Sequence, residues 1–471
     1  MSNSSNDTPR PQAGGVPVFD TALIKKYDKA GPRYTSYPTA PMFHENINAE
    51  TYSETLKRAA TSDTPLSLYV HIPFCDTVCY YCGCFKIVTK NREFTPPYLD
   101  HLEKEMDMVA ALVGKKRQVT QLHWGGGTPT FLNDNEIRRL FSGLRERFNF
   151  ADEGEYSIEI DPRECGPNTI RVLREVGFNR LSMGVQDIDP VVQKAVNRIQ
   201  PIEITRRVIE DARKEGFYSI SIDLMYGLPL QTMERFDATL DQVIELSPDR
   251  IALFNYAHLP HMFMPQRRIN EADIPAPETK LAILEHSINK LLAAGYVFIG
   301  MDHFAKPDDE MAVALREGKL QRNFQGYSTH ADADMIGFGI SSIGFIEGSY
   351  FQNEKDQQLY YQKLEDGEFP IQRGYTLTDE DHLRRFVIMR LMCDFGLDFS
   401  MVEKAFGIDF KAHFTGELSD LIPMQEDGLL KLTDRGFSVL PAGRLLIRNI
   451  AMVFDEHLRK KQEEVRFSKV I

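Results

Sequence analysis

From Leu66 onward, short apolar runs rich in β-branched residues alternate with longer stretches whose apolar residues recur every three to four positions. The short runs predict strands over Leu66–Ile72, Gln121–Trp124, Tyr156–Asp161, Arg180–Val185, Tyr218–Met225 and Arg250–Tyr256. The periodic stretches predict helices near 95–113, 134–148, 167–176, 202–215 and 232–246. A helix or long crossover after each strand lets the next strand lie parallel to it. Six such units predict an α/β fold, an incomplete (βα)6 barrel with parallel strands and an open side. The strands end on His71, Gly125, Asp161, Gln186, Asp223 and Asn255. A barrel works at the C-terminal ends of its strands, and polar residues gathered there fit that rule.

The texture differs on either side. Residues 1–19 read as a flexible tail, and residues 20–64 as an N-terminal strap over the active site, containing Gly31-Pro32 and then Arg33-Tyr34-Thr35-Ser36-Tyr37-Pro38. The partial barrel and its extension are expected over 65–374, with a further helix near 278–294 and a strand at Tyr296–Gly300. Residues 375–471 predict a mainly helical, winged-helix-like C-terminal domain. Within it, Thr378–Leu391 reads as a helix with Asp379, Glu380 and Asp381 at its positive end, Leu429–Val439 as a short β-wing and Arg444–Gln462 as a final helix.

Composition narrows the function. Fifty-five Lys and Arg against 68 Asp and Glu leave a net charge of −13, which argues against a nucleic-acid partner held by bulk electrostatics. No run approaches the ~20 apolar residues of a membrane span. The richest, Met335–Ile346, is broken by Gly337, Gly339 and Gly344, and Met1–Val16 has no apolar core of a secretory signal. A cytoplasmic location is expected.

Four of the six cysteines, Cys75, Cys79, Cys82 and Cys84, fall within ten residues directly after the first predicted strand. Such clustering suits a metal site better than a disulfide framework. Cys75-x3-Cys79-x2-Cys82 offers three thiolates to an iron–sulfur cubane, which usually takes four. Three would leave one iron open to a non-protein ligand. Zinc also accepts thiolates, but structural zinc usually has two separated ligand pairs, and Cys165 and Cys393 stand alone. Those two read as packed small hydrophobes. Cys84 is open between a neighbour, a spare ligand and a packed residue.

The motif resembles that of the radical S-adenosylmethionine enzymes. The stretches Tyr69–Cys75, Cys82-Gly83-Cys84, His123–Thr130, Asn179–Gln186 and Asn323–Tyr327 resemble the oxygen-independent coproporphyrinogen III oxidase family, and the likeness runs over about residues 25–471. The resemblance implies an oxidoreductase. It would hold a 4Fe–4S cluster on Cys75, Cys79 and Cys82, bind two S-adenosylmethionine molecules, and convert two propionates of coproporphyrinogen III to vinyl groups in anaerobic haem biosynthesis. It implies a first S-adenosylmethionine site at Tyr69, Gly126, Glu159 and Ile343, and a second at Tyr81, Gly127, Thr128, Gln186, Arg198, Asp223 and Ala257. Family members often carry Phe where Tyr81 stands. A low-potential electron donor and a monomeric state are expected with it. The alternative is a haem-trafficking chaperone of the same superfamily, which usually lacks the 31–38 segment and the Cys-Gly-Cys ending present here.

The residues themselves give these assignments chemical sense. Gly125-Gly126-Gly127 would let backbone approach a ligand closely, or simply make a tight turn. Glu159 and Asp161 share one strand face, where a carboxylate must be paired, either with a ligand ammonium or with an arginine such as Arg163 or Arg180. Arg198 could neutralise a ligand carboxylate or lie on a helix surface. The substrate's carboxylates call for cations, and Arg33, Arg267, Arg268 and Arg322 are the candidates.

Overall fold

The computed structural model describes residues 15–330 and 333–460, so most of the expected tail and the end of the expected final helix, Gln462 included, lie outside the described residues. The chain divides into two compact units, one of residues 43–287 and 333–376, the other of 15–42, 288–330 and 377–460.

The first unit is built on a sheet whose first six strands are those expected: β1 (Leu66–Ile72), β2 (Gln118–Gly126), β3 (Asn149–Ile160), β4 (Arg180–Gln186), β5 (Ser219–Tyr226) and β6 (Arg250–Asn255). They lie side by side in chain order, every pair parallel. Helices Thr95–Val113, Asp134–Arg147, Thr169–Val176, Ile202–Lys214 and Met233–Leu246 fill the crossovers. Strand periodicity sorts the side chains: Leu66, Leu68, Val70 and Ile72 of β1 are fully buried on one face, which leaves Ser67, Tyr69 and His71 on the other. The single Trp124 is wholly buried among Phe141 and Phe178, ring against ring edge for the latter at 4.9 Å.

Beyond β1 the sheet continues. The glycine-interrupted run after Met335 forms β7 (Asp334–Phe338), parallel to β1, and then β8 (Ile343–Ile346). Strands β9 (Ser349–Asn353) and β10 (Ile371–Thr376) extend it antiparallel, in the order β10-β9-β8-β7-β1. Gly337 and Gly344 belong there because a Cβ on either would lie about 2.9 Å or closer to facing backbone.

In the second unit, Asp379–Asp394 is the expected helix. Thr378 and Asp381 exchange capping hydrogen bonds at its start. The wing is a three-stranded sheet of Gly396–Asp398, Gly436–Val439 and Leu430–Leu432. The expected final helix is instead two short ones, Ile447–Met452 and Glu456–Lys460. Asp455 breaks it: one carboxylate oxygen accepts the Leu458 N–H and the other the buried Tyr34 hydroxyl, both at 2.9 Å. Segment 31–38 is tied into this unit by guanidiniums. Arg448 donates to the Pro32 and Gly31 carbonyls, and Arg322 to those of Tyr34 and Arg33.

Candidate active site

The loop after β1 is held by backbone before any ligand is considered. Ile87 N–H donates to the Pro73 carbonyl at 2.7 Å, and Thr89 N–H to that of Cys75 at 2.9 Å. The Gly126–Thr128 turn after β2 is laced to the same segment, Gly127 N–H to the Ile72 carbonyl and Thr128 N–H to that of Phe74, both at 2.8 Å. This close approach requires glycine. A Cβ on Gly126, whose φ is +113°, would lie 2.5 Å from the His71 ring, and one on Gly127 2.6 Å from the Pro73 oxygen.

An open cavity with about 750 Å³ of free space lies at these strand ends. Cys75, Cys79, Cys82 and Cys84 line it, facing Gly126, Gly127, Thr128, Glu159, Asp161, Gln186, Arg198 and Asp223. Of the expected cofactor residues, Tyr81 lines it too. Tyr69, Ile343 and Ala257 do not. Tyr69 hydrogen-bonds the His71 Nδ1 at 3.0 Å and stacks on His123. Ile343 pairs with Gln352 in the β8–β9 ladder. Ala257 is tied to the cavity wall through Gln266, which donates to the carbonyls of both Ala257 and Tyr81.

Among the described residues, no three His, Cys, Asp or Glu side chains converge as a single metal ion would need. The three motif thiols all line this one cavity. Their surroundings differ. Burial pushes the Cys75 thiol up to about 11, against a 3.5 Å contact with the Thr128 hydroxyl. Hydrogen bonding from Cys84 holds Cys82 below the ordinary thiol range, and the Lys86 ammonium adds to this. Two guanidiniums reach the Cys79 sulfur, Arg198 at 3.6 Å and Arg163 at 3.8 Å. Cys165 and Cys393 are buried and do not line this cavity; the Cys165 thiol donates to the Asp161 carbonyl at 3.5 Å.

The carboxylates differ by partner. Burial works to raise Glu159, but His123 Nε2 and the Gly126 N–H, each at 3.3 Å, keep it below the usual carboxylate range. Asp161 falls just past the end of β3, where Pro162 stops the ladder, and accepts the Arg163 N–H at 3.0 Å. Burial would raise it as well, yet Arg198 and Arg163 hold it down. Asp223 has no such clamp, and burial with the nearby Glu159 charge lifts it to about 7. Gln186, at a bulge in β4, carries a left-handed backbone (φ +67°) that a non-glycine residue adopts only where its surroundings enforce it.

Arg198 is thus a buried site residue and not a helix-surface cation. Of the candidate substrate arginines, Arg33 pairs with Asp302, Arg322 is spent on backbone carbonyls, Arg267 donates to the Pro260 carbonyl and Arg268 lies over the Tyr80 ring. None lines the cavity. His123, Lys86 and Ser182 belong to the site or its support without having been singled out by sequence. Only His123 left a trace, as the head of the His123–Thr130 stretch; it lies in register with Ser157, which is two residues before Glu159.

Known proteins agree with this picture. The profile of the Radical SAM superfamily matches residues 69–243, and that of the HemN C-terminal domain residues 377–446. The oxygen-independent coproporphyrinogen III oxidase of Pseudomonas aeruginosa is 50% identical, covering 96% of this chain and 99% of its own. That of Escherichia coli is 50% identical over 96% and 98%, and that of Synechocystis 44% over 96% and 98%. The solved structure described as coproporphyrinogen III oxidase (HemN) from Escherichia coli, a radical SAM enzyme, superposes with a TM-score of 0.90 at 49% identity, covering 94% of this chain and all of that one. Among the described residues no helix is long and apolar enough to cross a membrane. This chain belongs to the oxygen-independent coproporphyrinogen III oxidase family of the radical S-adenosylmethionine superfamily.

Proposed function

We propose that this chain turns two propionate side chains of coproporphyrinogen III into vinyl groups, giving protoporphyrinogen IX without oxygen in haem biosynthesis. The observation that carries this reading is that three loop thiols, the Gly126–Thr128 turn and Glu159 line one cavity. The donor set suits a 4Fe–4S cluster held by Cys75, Cys79 and Cys82, with one iron left for S-adenosylmethionine. When bound, cluster and S-adenosylmethionine would supply the hydrogen-abstracting radical chemistry that oxidative loss of carbon dioxide from a propionate requires, with the released electron passing to an acceptor.

The chain's own residues bind and orient. Gly126 presents unhindered backbone to the methionyl group of the first S-adenosylmethionine, and Glu159, kept ionised by His123, accepts its ammonium. Tyr69 and Ile343 complete that site as outer walls. The second S-adenosylmethionine site is assigned to Tyr81, Gly127, Thr128, Gln186, Arg198, Asp223 and Ala257. There Arg198 offers charge to a carboxylate, and Asp223, with its pKa near 7, can carry or release a proton. Residues 20–64, 65–374 and 375–471 are assigned as strap, partial barrel with its extension, and C-terminal domain. A low-potential electron donor, a monomeric state and a cytoplasmic location go with this reading.

The test is an anaerobic assay of reconstituted protein with coproporphyrinogen III, dithionite and S-adenosylmethionine. Protoporphyrinogen IX and 5′-deoxyadenosine are expected together. Haem binding with neither product would point instead to a trafficking role.

A further inference from the structure

Asp161 sits at a crossing of charges that the proposed S-adenosylmethionine sites do not explain. Its carboxylate is 6% exposed and grips Arg163 side-on, Nε to Oδ1 at 3.0 Å and Nη2 to Oδ2 at 2.7 Å. The Arg163 backbone N–H adds a third bond at 3.0 Å. The same Oδ2 accepts Arg198 Nη1 at 3.1 Å. Two guanidiniums thus share one carboxylate, which leaves an excess positive charge. Both spend an N–H on one sulfur, that of Cys79, the most buried thiol of the motif. Arg198 is also held to the Gly184 carbonyl at 2.5 Å, so its place is fixed from the β4 side. Arg163 has Asp161 as its fixed anchor, and that anchor aims it at the sulfur.

We propose that Arg163 is a tuning residue for the iron–sulfur centre: held by Asp161, it donates to the Cys79 sulfur and raises the reduction potential of the cluster. This rests on the reading of Cys79 as a cluster ligand. Reduction adds one electron, and so one negative charge, to a cluster already bearing thiolates. A cation a few ångströms away in a recessed site favours the reduced form, and an N–H aimed at a ligand sulfur draws charge from it in the same sense. The bidentate grip of Asp161 fixes the direction of the N–H, which an ammonium on a flexible stem would not reproduce. Arg163 therefore acts through Cys79 and not on substrate.

The experiment compares wild type, Arg163→Met and Arg163→Lys after anaerobic reconstitution, with iron content measured and the cluster midpoint read by EPR-monitored redox titration without substrate. Arg163→Met is expected to make reduction about tenfold less favourable, a fall of about 59 mV for one electron. Arg163→Lys, which keeps the charge and loses the fork, should fall by less. A wild-type midpoint in Arg163→Met at full iron content overturns the proposal. So does an unmoved midpoint with a raised KM for coproporphyrinogen III, which would make Arg163 a propionate clamp. Should Arg163→Met fail to hold iron, the lysine variant decides: a wild-type midpoint there, at full iron, also overturns it. A wild-type protein that binds no cluster would defeat the functional reading itself, whereas one that turns over with an unmoved variant midpoint defeats only the role of Arg163.

Discussion

A pair of arginines in each of the two units, Arg322 with Arg448 and Arg163 with Arg198, is used in opposite ways. In the second unit Arg322 and Arg448 lie at 5% and 3% exposure and donate to four successive backbone carbonyls, from Gly31 to Tyr34. Their charge is a burden there. Burial pulls both below the ordinary guanidinium range, Arg448 to about 10, with their mutual repulsion and that of Arg33 adding to it. In the first unit Arg163 and Arg198 donate to a carboxylate and a sulfur, and both are raised: Asp161 and Cys79 outweigh burial at Arg163, and Tyr81, Asp161 and Cys79 do so at Arg198. A guanidinium on carbonyls fastens chain. One balanced by an anion in a cavity carries charge to a ligand. The side chain is the same, and its partners decide which it does.

The contrast is broken most severely at Asp161. Asp161→Asn leaves the buried Arg198 and the half-buried Arg163 sharing no anion, and urea unfolding of the iron-free chain is expected to show a loss of about 3–5 kcal/mol. Turnover should fall with it. A loss near zero would mean that the two arginines do not depend on this carboxylate.

Arg448→Met probes the other use. It orphans two carbonyl acceptors, so a loss of about 2–3 kcal/mol is expected, measured the same way. The iron content and the KM for S-adenosylmethionine of the reconstituted variant should stay at wild-type values. A raised KM would give this arginine more than a fastening role.

The smallest effect, read as a slope per pH unit, comes from the carboxylate without a guanidinium clamp. Asp223 has a folded pKa near 7, above its unfolded value of about 4. The folded chain therefore holds a proton that the unfolded chain has lost between these values, and stability must fall as pH rises through that window. The slope is at most about 1.4 kcal/mol per pH unit and flattens above pH 7. Thermal melts of the iron-free chain from pH 4.5 to 7.5 should show this slope relative to Asp223→Asn. Asp161, held low by its arginines, contributes the opposite sign, so Asp161→Asn should lose the extra stability that ionisation gives above about pH 4. Equal slopes in wild type and Asp223→Asn would contradict the assignment of the pKa near 7 to this residue.

Much of this was legible in the chain. Six of the strands, their helices and the cysteine loop announce themselves because a parallel barrel repeats one unit and because four cysteines in ten residues admit few uses. What stayed hidden depends on contacts far apart in sequence. Strand β7 reads poorly since Gly337 within it and Gly339 just past it dilute the apolar run; facing backbone explains Gly337, while a φ of +93° and the close Tyr98 hydroxyl explain Gly339. The break at Asp455 reflects Tyr34, more than 400 residues earlier. Arg163 carries no mark in sequence that separates it from Arg267 or Arg268. Two residues from Asp161, it reads as a local ion pair, and its reach to Cys79 appears only once the loop after β1 folds over.

The backbone lacing around Cys75 bears on how this loop takes its shape. The Pro73–Cys75 stretch is bonded to Ile87 and Thr89 on one side and to the glycine turn on the other, so main-chain hydrogen bonds fix it without help from the thiols. A small zinc module, by contrast, gains its shape only on metal capture.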